Sequence, residues 1–279
     1  MHDLKRLKTM KKLLLLLPLI LLFISNLSVA QKKVKFHYDA FKDTKKLLLR
    51  GNAKFVEGGI RLTEASPYQR GACWYRKRVA VEKGFTVNFT MKMSKPDVEL
   101  GGADGIAFVI QNDPRKLGLG QFGEGMGYSG LINCIVVEFD TYDNGEGSDN
   151  HVSIQTNGKG KVSRSEKHTI AINRKIIQLK NRTRNVKISY QKKVLRVYLN
   201  GRIVIKKNID LSKKIQFTLG KAWVGFTSAT AKAFSQQEVL DWKWESNIIP
   251  IAVHPSRKWL KKTGKRSFAA ILRRKMNWG

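Results

Sequence analysis

The stretch Ile135-Val136-Val137-Glu138-Phe139-Asp140-Thr141-Tyr142-Asp143-Asn144 opens a polar segment that closes on Asp149-Asn150-His151-Val152-Ser153-Ile154. In a strand, side chains at i and i+2 share a face. Ile135, Val137 and Phe139 therefore point into a core, and Glu138 and Asp140 point the other way with Val136. After the loop Val152 and Ile154 turn inward again, while His151 and Ser153 join the polar face. Two carboxylates ~7 Å apart on one face repel, and a bound cation relieves that repulsion. If the two strands are neighbours, the imidazole meets both carboxylates. Oxygen donors alone suit calcium. Adding the imidazole beside Glu138 and Asp140 suits a transition metal such as manganese, so two ions sharing Asp140 would use every polar group. The bland alternative is a solvated acidic hairpin with a chance histidine.

Outward from this stretch the chain is short β runs punctuated by Gly, Asn and Asp. Phe85, Val87, Phe89 and Met91 alternate with polar neighbours. Ile106–Ile110 is nearly all apolar, as in a strand covered on both faces. Gln191-Lys192-Lys193 and Asn200-Gly201 divide Val186–Ile205 into three successive antiparallel strands. Helical periodicity is almost absent before the C-terminus, so the pattern predicts an all-β sandwich of antiparallel sheets. Trp223, Phe226, Trp242 and Trp244 lie in strand patterns and read as core or sheet-face residues.

The ends differ from this body. Residues 1–30 combine Lys5, Arg6, Lys8, Lys11 and Lys12 with the apolar run Leu13–Ile24 and close on Ser28-Val29-Ala30. That order predicts a signal peptide cleaved near Ala30, hence a secreted, extracellular or periplasmic protein. A membrane anchor is the alternative, but Pro18 and Asn26 leave the run short of the ~20 residues a span needs. Residues 31–248 suit one large domain, and 249–279 form a basic tail free of acidic residues. Lys and Arg total 53 against 21 Asp and Glu, a formal charge of +32. Such a field favours anionic partners: an acidic polymer, polysaccharide or nucleic acid, or an anionic surface. Phe268, Ile271 and Leu272 could give the tail one amphipathic helix for a membrane surface. Cys73 and Cys134 could pair if the chain is exported, or remain small buried thiols.

Four ordered motifs carry a family likeness: Ala103-Asp104-Gly105-Ile-Ala-Phe108, Val137–Asn144, His151–Ile154, and Trp223–Thr230 with Glu238–Trp242. Over roughly residues 36–245 the chain resembles a legume-type (L-type) lectin, whose fold is the concanavalin A-like jelly-roll β-sandwich. The resemblance implies that Glu138 and His151 bind a transition metal (Mn2+ or another) and that Asp140 bridges to Ca2+. It implies that Tyr142 gives calcium its carbonyl and Asn144 its side-chain oxygen. Asp104 and Asn144 would hydrogen-bond sugar hydroxyls, and the Tyr142 ring would pack on a sugar face. The family holds its Asp104 equivalent after a cis peptide, which predicts a cis Ala103–Asp104 bond. Gly118 and Gly120, in the glycine-dense run Leu117–Gly130, would bring backbone amides to the sugar or serve as turn makers. Tyr128, in the same run, either packs the loop or stacks on sugar.

The loop is shorter than the family pattern. Asp149 satisfies one spacing of the last calcium acid and Glu146 the other, so each is a candidate. Lys232 also stands where members often have glycine, which bears on specificity. The implied function is a calcium-dependent, carbohydrate-binding lectin without catalysis, with glycans as partners; a homo-oligomer is open to it, since such sandwiches pair through sheet edges or backs in many ways. Two alternatives remain. A laminarinase-like glycoside hydrolase on the same sandwich would use Glu138 and Asp140, but its final acid would be Asp143. A binder of anionic polysaccharide or nucleic acid would use the basic surface.

Overall fold

The computed structural model describes residues 33–247, so the expected export signal and basic tail lie outside the described residues. The chain runs β1 (Lys33–Asp39), β2 (Leu47–Gly51), β3 (Lys54–Val56), β4 (Gly59–Thr63), β5 (Arg70–Tyr75), β6 (Val79–Ala80), β7 (Phe85–Ser94) and β8 (Gly105–Gln111). It continues with β9 (Cys134–Asp140), β10 (His151–Thr156), β11 (Thr169–Asn173), β12 (Arg182–Gln191), β13 (Val194–Leu199) and β14 (Arg202–Asn208). One helical turn, α1 (Leu211–Lys214), precedes β15 (Lys221–Ala229) and β16 (Gln236–Asn247). These strands form two eight-stranded sheets whose pairings are antiparallel, the sandwich that the alternation predicts and the jelly roll that the family likeness implies.

The back sheet has the order β14-β13-β12-β7-β16-β4-β3, and β1 also pairs β16. The front sheet has the order β11-β10-β9-β8-β15-β5-β2, with β6 beside β15. Between them lies a core in which Phe89 of β7 meets Phe226 at 4.9 Å and Phe139 at 5.8 Å, ring centre to ring centre. Trp242 stands edge-on to Phe226 at 4.9 Å, and Trp244 stacks on Phe85 at 4.8 Å. Such aromatic pairs contribute beyond their buried area.

The front sheet is buried on both faces, which explains the unbroken apolar run in β8. Its second face carries Ala72, Trp74, Ala107, Val109 and Val136, packed beneath Met126, Tyr128 and Leu131 of the loop before β9. That two-faced burial decides the cysteines. Cys73 belongs to the core between the sheets and Cys134 to the cluster under the loop, and both are free, buried thiols. Trp223 also differs from the other tryptophans: it is half-buried and carries the Arg78 guanidinium over its ring at 3.6 Å.

Gly105 sets the close approach of β8 to β9. Its φ is +136°, and a Cβ there would lie 2.2 Å from the Phe139 carbonyl oxygen. A side chain at this position would push apart the two strands that carry Asp104 and Asp140.

Candidate functional site

The register of β9 and β10 builds the polar face directly. His151 lies opposite Asp140, and Ser153 lies opposite Glu138. All four are buried at the top of the front sheet. A ten-residue loop, 141–150, joins the two paired strands, so the alternation read from the sequence becomes a shared surface.

Glu138 is held by protein donors. Its carboxyl accepts hydrogen bonds from the Tyr128 and Ser153 hydroxyls and, at 2.9 Å, from the Gln155 amide. Gln155 is held in turn by Thr169, whose hydroxyl donates to its Oε1 at 2.9 Å. Tyr128 is completely buried, so it packs the loop and its ring is unavailable to a sugar. Burial, reinforced by the Glu138 charge, pushes its phenol well above the ordinary value. His151 bonds the Ser148 carbonyl through Nδ1 at 2.9 Å, and its Nε2 stands 4.0 Å from Asp140. The imidazole therefore meets one carboxylate, where the sequence predicts two. Among the described residues no three His, Cys, Asp or Glu side chains gather closely enough to hold a metal ion. The expected transition-metal trio Glu138, Asp140 and His151 is not assembled, because three protein donors already engage the Glu138 oxygens.

A calcium set is a different case, since it draws on carbonyl and amide oxygens as well as acids. Asp140 is buried, and its Oδ1 accepts from the Tyr142 amide at 2.8 Å. Burial, followed by the Glu138, Glu146 and Asp104 charges, pushes its carboxyl well above the ordinary range. Glu146 reaches back to the Asn144 amide at 2.7 Å and keeps a side chain only 10% exposed. Asp149 turns away, 61% exposed and paired with Lys180 at 2.6 Å. The shortened loop thus brings Glu146, not Asp149, beside Asp140 and Asn144. Arg164 joins Glu146 at 3.1 Å to Glu124 at 2.6 Å and ties this loop to the glycine-dense one.

Beside this loop opens a cavity of about 370 Å3 lined by Asp104, Asn144, Tyr142, Gly123, Phe122 and Tyr68, with Ala231 and Lys232 on its rim. The Ala103–Asp104 peptide is cis, as the family likeness implies. The Ala103 carbonyl accepts from Ser235 at 3.2 Å and Gln237 at 3.1 Å, and the Asp104 carbonyl accepts from the Thr141 amide at 2.9 Å. The Asp104 backbone is thereby locked, but its Oδ2 is buried without a hydrogen-bond partner, as is the Asn144 Nδ2. Burial, aided by the Glu124 charge, raises the Asp104 carboxyl to about 7, and the nearby Asn144 amide tempers the rise. The Asn144 side-chain amide leans toward the Asp104 carboxyl, but neither Asp104 Oδ2 nor Asn144 Nδ2 completes a hydrogen bond of normal length, and a ligand between them would supply it.

Gly118 and Gly120 lie elsewhere, on a separate cavity with Arg70 and Ser129. The Gly118 carbonyl accepts from the Trp74 indole at 2.9 Å, and a Cβ at Gly120 would come within 2.4 Å of the Ser129 carbonyl oxygen. They shape the loop, and Gly123 is the glycine that borders the Asp104 cavity. Two further rings were not legible in the sequence as site residues. Phe122 is 43% exposed with Arg70 stacked on it at 4.3 Å, and Tyr68 is 59% exposed. An exposed aromatic in a glycine-rich loop is the signal that singles out Phe122. Tyr68 comes from a distant turn, and no local pattern marks it.

The family model of the legume lectin beta-barrel domain matches residues 31–240. Over 263 residues the chain is 28% identical to a putative L-type lectin-domain containing receptor kinase I.1 of Arabidopsis thaliana, covering 84% of this chain and 38% of that protein. The chain thus spans about two-fifths of the length of that relative. Peanut lectin with a 9mer peptide superimposes with a TM-score of 0.66 at 22% identity, covering 79% of this chain and all of that one. Basic winged bean lectin with Tn-antigen gives 0.64 at 23% identity, covering 77% of this chain and 98% of that one.

Proposed function

The chain belongs to the L-type, or legume, lectin domain family, and on that premise we propose that it binds glycans in the Asp104 cavity and catalyses nothing. One observation carries this reading: Asp104 and Asn144 line one cavity with a carboxylate oxygen and an amide nitrogen that lack hydrogen bonds of normal length, framed by Tyr68, Phe122 and Tyr142. Sugar hydroxyls both donate and accept, so one saccharide edge satisfies both groups. The aromatic rings offer the apolar faces on which sugar rings pack. The winged bean lectin with the same fold is described with Tn-antigen, a likeness that favours a glycan partner.

We extend the reading to calcium. Asp140, the Tyr142 carbonyl and Asn144 offer the oxygen donors this ion takes, and the like charges around Asp140 supply the demand for it. The Glu146 oxygens accept from the Asn144 backbone amide and Arg164 in this structure, so Glu146 would join them only by turning from those partners. Calcium, when bound, would neutralise these charges and hold the loop so that Asn144 faces the cavity. The chain's own residues do the recognition: Asp104 accepts from sugar hydroxyls and Asn144 donates to them. A transition metal forms no part of this reading, because Tyr128, Ser153 and Gln155 take the Glu138 oxygens. The same seal speaks against a hydrolase, since a carboxyl under Tyr128 cannot reach a glycosidic bond. Export with cleavage near Ala30 completes the proposal, and N-terminal sequencing of the mature protein tests it.

A glycan array read with calcium and again after EDTA tests the function. Binding to a defined set of saccharides, lost with EDTA and restored by calcium without manganese, is the expected result. Elemental analysis of the restored protein should find calcium near one per chain and transition metal well below that. An array blank under both conditions would refute the lectin reading. Full binding in EDTA would refute only its calcium part.

A further inference from the structure

We propose that the outer face of the back sheet is a second binding surface, for a polysaccharide bearing sulfate or carboxylate groups. It uses none of the residues of the Asp104 cavity. The cross-strand register places Lys206, Arg196, Ser189 and Thr86 in one outward row, and Ile203, Tyr198, Lys187, Asn88 and Lys243 in the next. Neighbouring strands are ~4.8 Å apart, so these cations form a compact field on a flat face. Lys187, Lys206 and Lys243 are exposed and Arg196 is half-buried. None of the four makes an ion pair among the described residues.

The acids of this face are already taken. Glu245 pairs with Lys35 at 3.3 Å, Asp241 with His37, and Glu238 with Arg61 at 2.9 Å. All three pairs sit toward β1 and β4, which leaves the positive excess over β12–β14. Next to it lies a cavity of about 480 Å3 bordered by Lys83, Asn88, Gln191, Lys192, Lys243 and, on its β16 side, Glu245, which Lys35 holds at 3.3 Å. The ammonium groups of Lys83, Lys192 and Lys243 and the amides of Asn88 and Gln191 outnumber that one paired carboxylate, a donor set that binds sulfate or carboxylate oxygens.

The observations select the occupant. A second copy of the chain laid on this face would bring unpaired cations against cations, which opposes self-association. A single-stranded nucleic acid needs aromatic platforms for its bases. On the outward rows of β12–β14 the aromatic ring is Tyr198, and Lys187 already stands over it at 5.1 Å. Charged groups on a sugar chain require only the cations and donors present. Attraction of this kind fades with salt as counterions are released.

The test uses the full chain and heparin as probe, at physiological salt. One variant carries Lys187→Ser, Arg196→Ser, Lys206→Ser and Lys243→Ser; a control removes the same charge from the tail with Lys261→Ser, Lys262→Ser, Arg273→Ser and Arg274→Ser. Circular dichroism melting checks that both fold. The face variant should bind heparin about tenfold more weakly or worse, a loss of a few tenths of a logarithmic unit per exposed contact, while the tail variant stays within about threefold of the parent. Its calcium-dependent array signal should be unchanged, which separates this surface from the Asp104 cavity. Equal losses in both variants would overturn the proposal by reducing it to net charge. Tighter binding of a single-stranded oligonucleotide than of heparin, lost in the face variant, would also overturn it, as would concentration-dependent dimers that the face variant abolishes.

Discussion

Asp104→Ala should weaken glycan binding by at least about a hundredfold while leaving the domain folded. A hydrogen bond to an ionised acceptor contributes ~1.5–3 kcal/mol, hydroxyl donors favour that form of a carboxyl that stands at about 7 without them, and its two oxygens can take two such bonds. Two such bonds lost correspond to two or more factors of ten in Kd. The fold should tolerate the change because the Asp104 side chain leaves Oδ2 unpartnered and is held well above the usual carboxylate range. Its backbone bonds to Ala229 and Thr141 do not depend on the side chain. Calorimetric titration with an array-positive saccharide and a melting curve of the same sample measure both halves. Parental affinity in the variant would remove Asp104 from the site.

Glu138→Ala should have its effect on stability. The substitution strips the acceptor from Tyr128, Ser153 and Gln155 and leaves a void in a fully buried cluster. Each buried donor left without a partner costs ~1–3 kcal/mol, and the void adds to that. A total loss of about 3–5 kcal/mol lowers Tm by roughly 6–20 °C in a domain of this size. The deficit should be the same in calcium and in EDTA, because the Glu138 partners are protein donors. A deficit that appears only with added metal would restore Glu138 to an ion site.

The contrast between Asp104 and Glu138 shows what the sequence discloses. Alternation in Ile135–Asp140 and His151–Ile154 settled which side chains of each strand share a face, since that depends on the two-residue period of a strand. That His151 stands opposite Asp140 needed the two strands to be neighbours in this register, which the structure supplies. The fate of Glu138 does not follow from alternation. Tyr128 reaches it from a glycine-dense loop whose path is fixed by contacts distant in sequence, such as the Arg70 guanidinium donating to the Gly120 carbonyl at 2.7 Å. The choice between Glu146 and Asp149 is likewise non-local, decided by Arg164 and Lys180 drawing the two acids in different directions. Gly118 and Gly120 illustrate the converse. A glycine reads as freedom of the backbone, but whether a ligand or a neighbouring carbonyl fills the space is a property of the folded loop.

A structure determined with calcium and the strongest array saccharide examines the account most directly. It should place a sugar ring in the 370 Å3 cavity, with hydroxyls on the Asp104 carboxylate and the Asn144 amide and a single ion beside Asp140. A saccharide seated on any other surface, with the Asp104 Oδ2 still unpartnered, would contradict it.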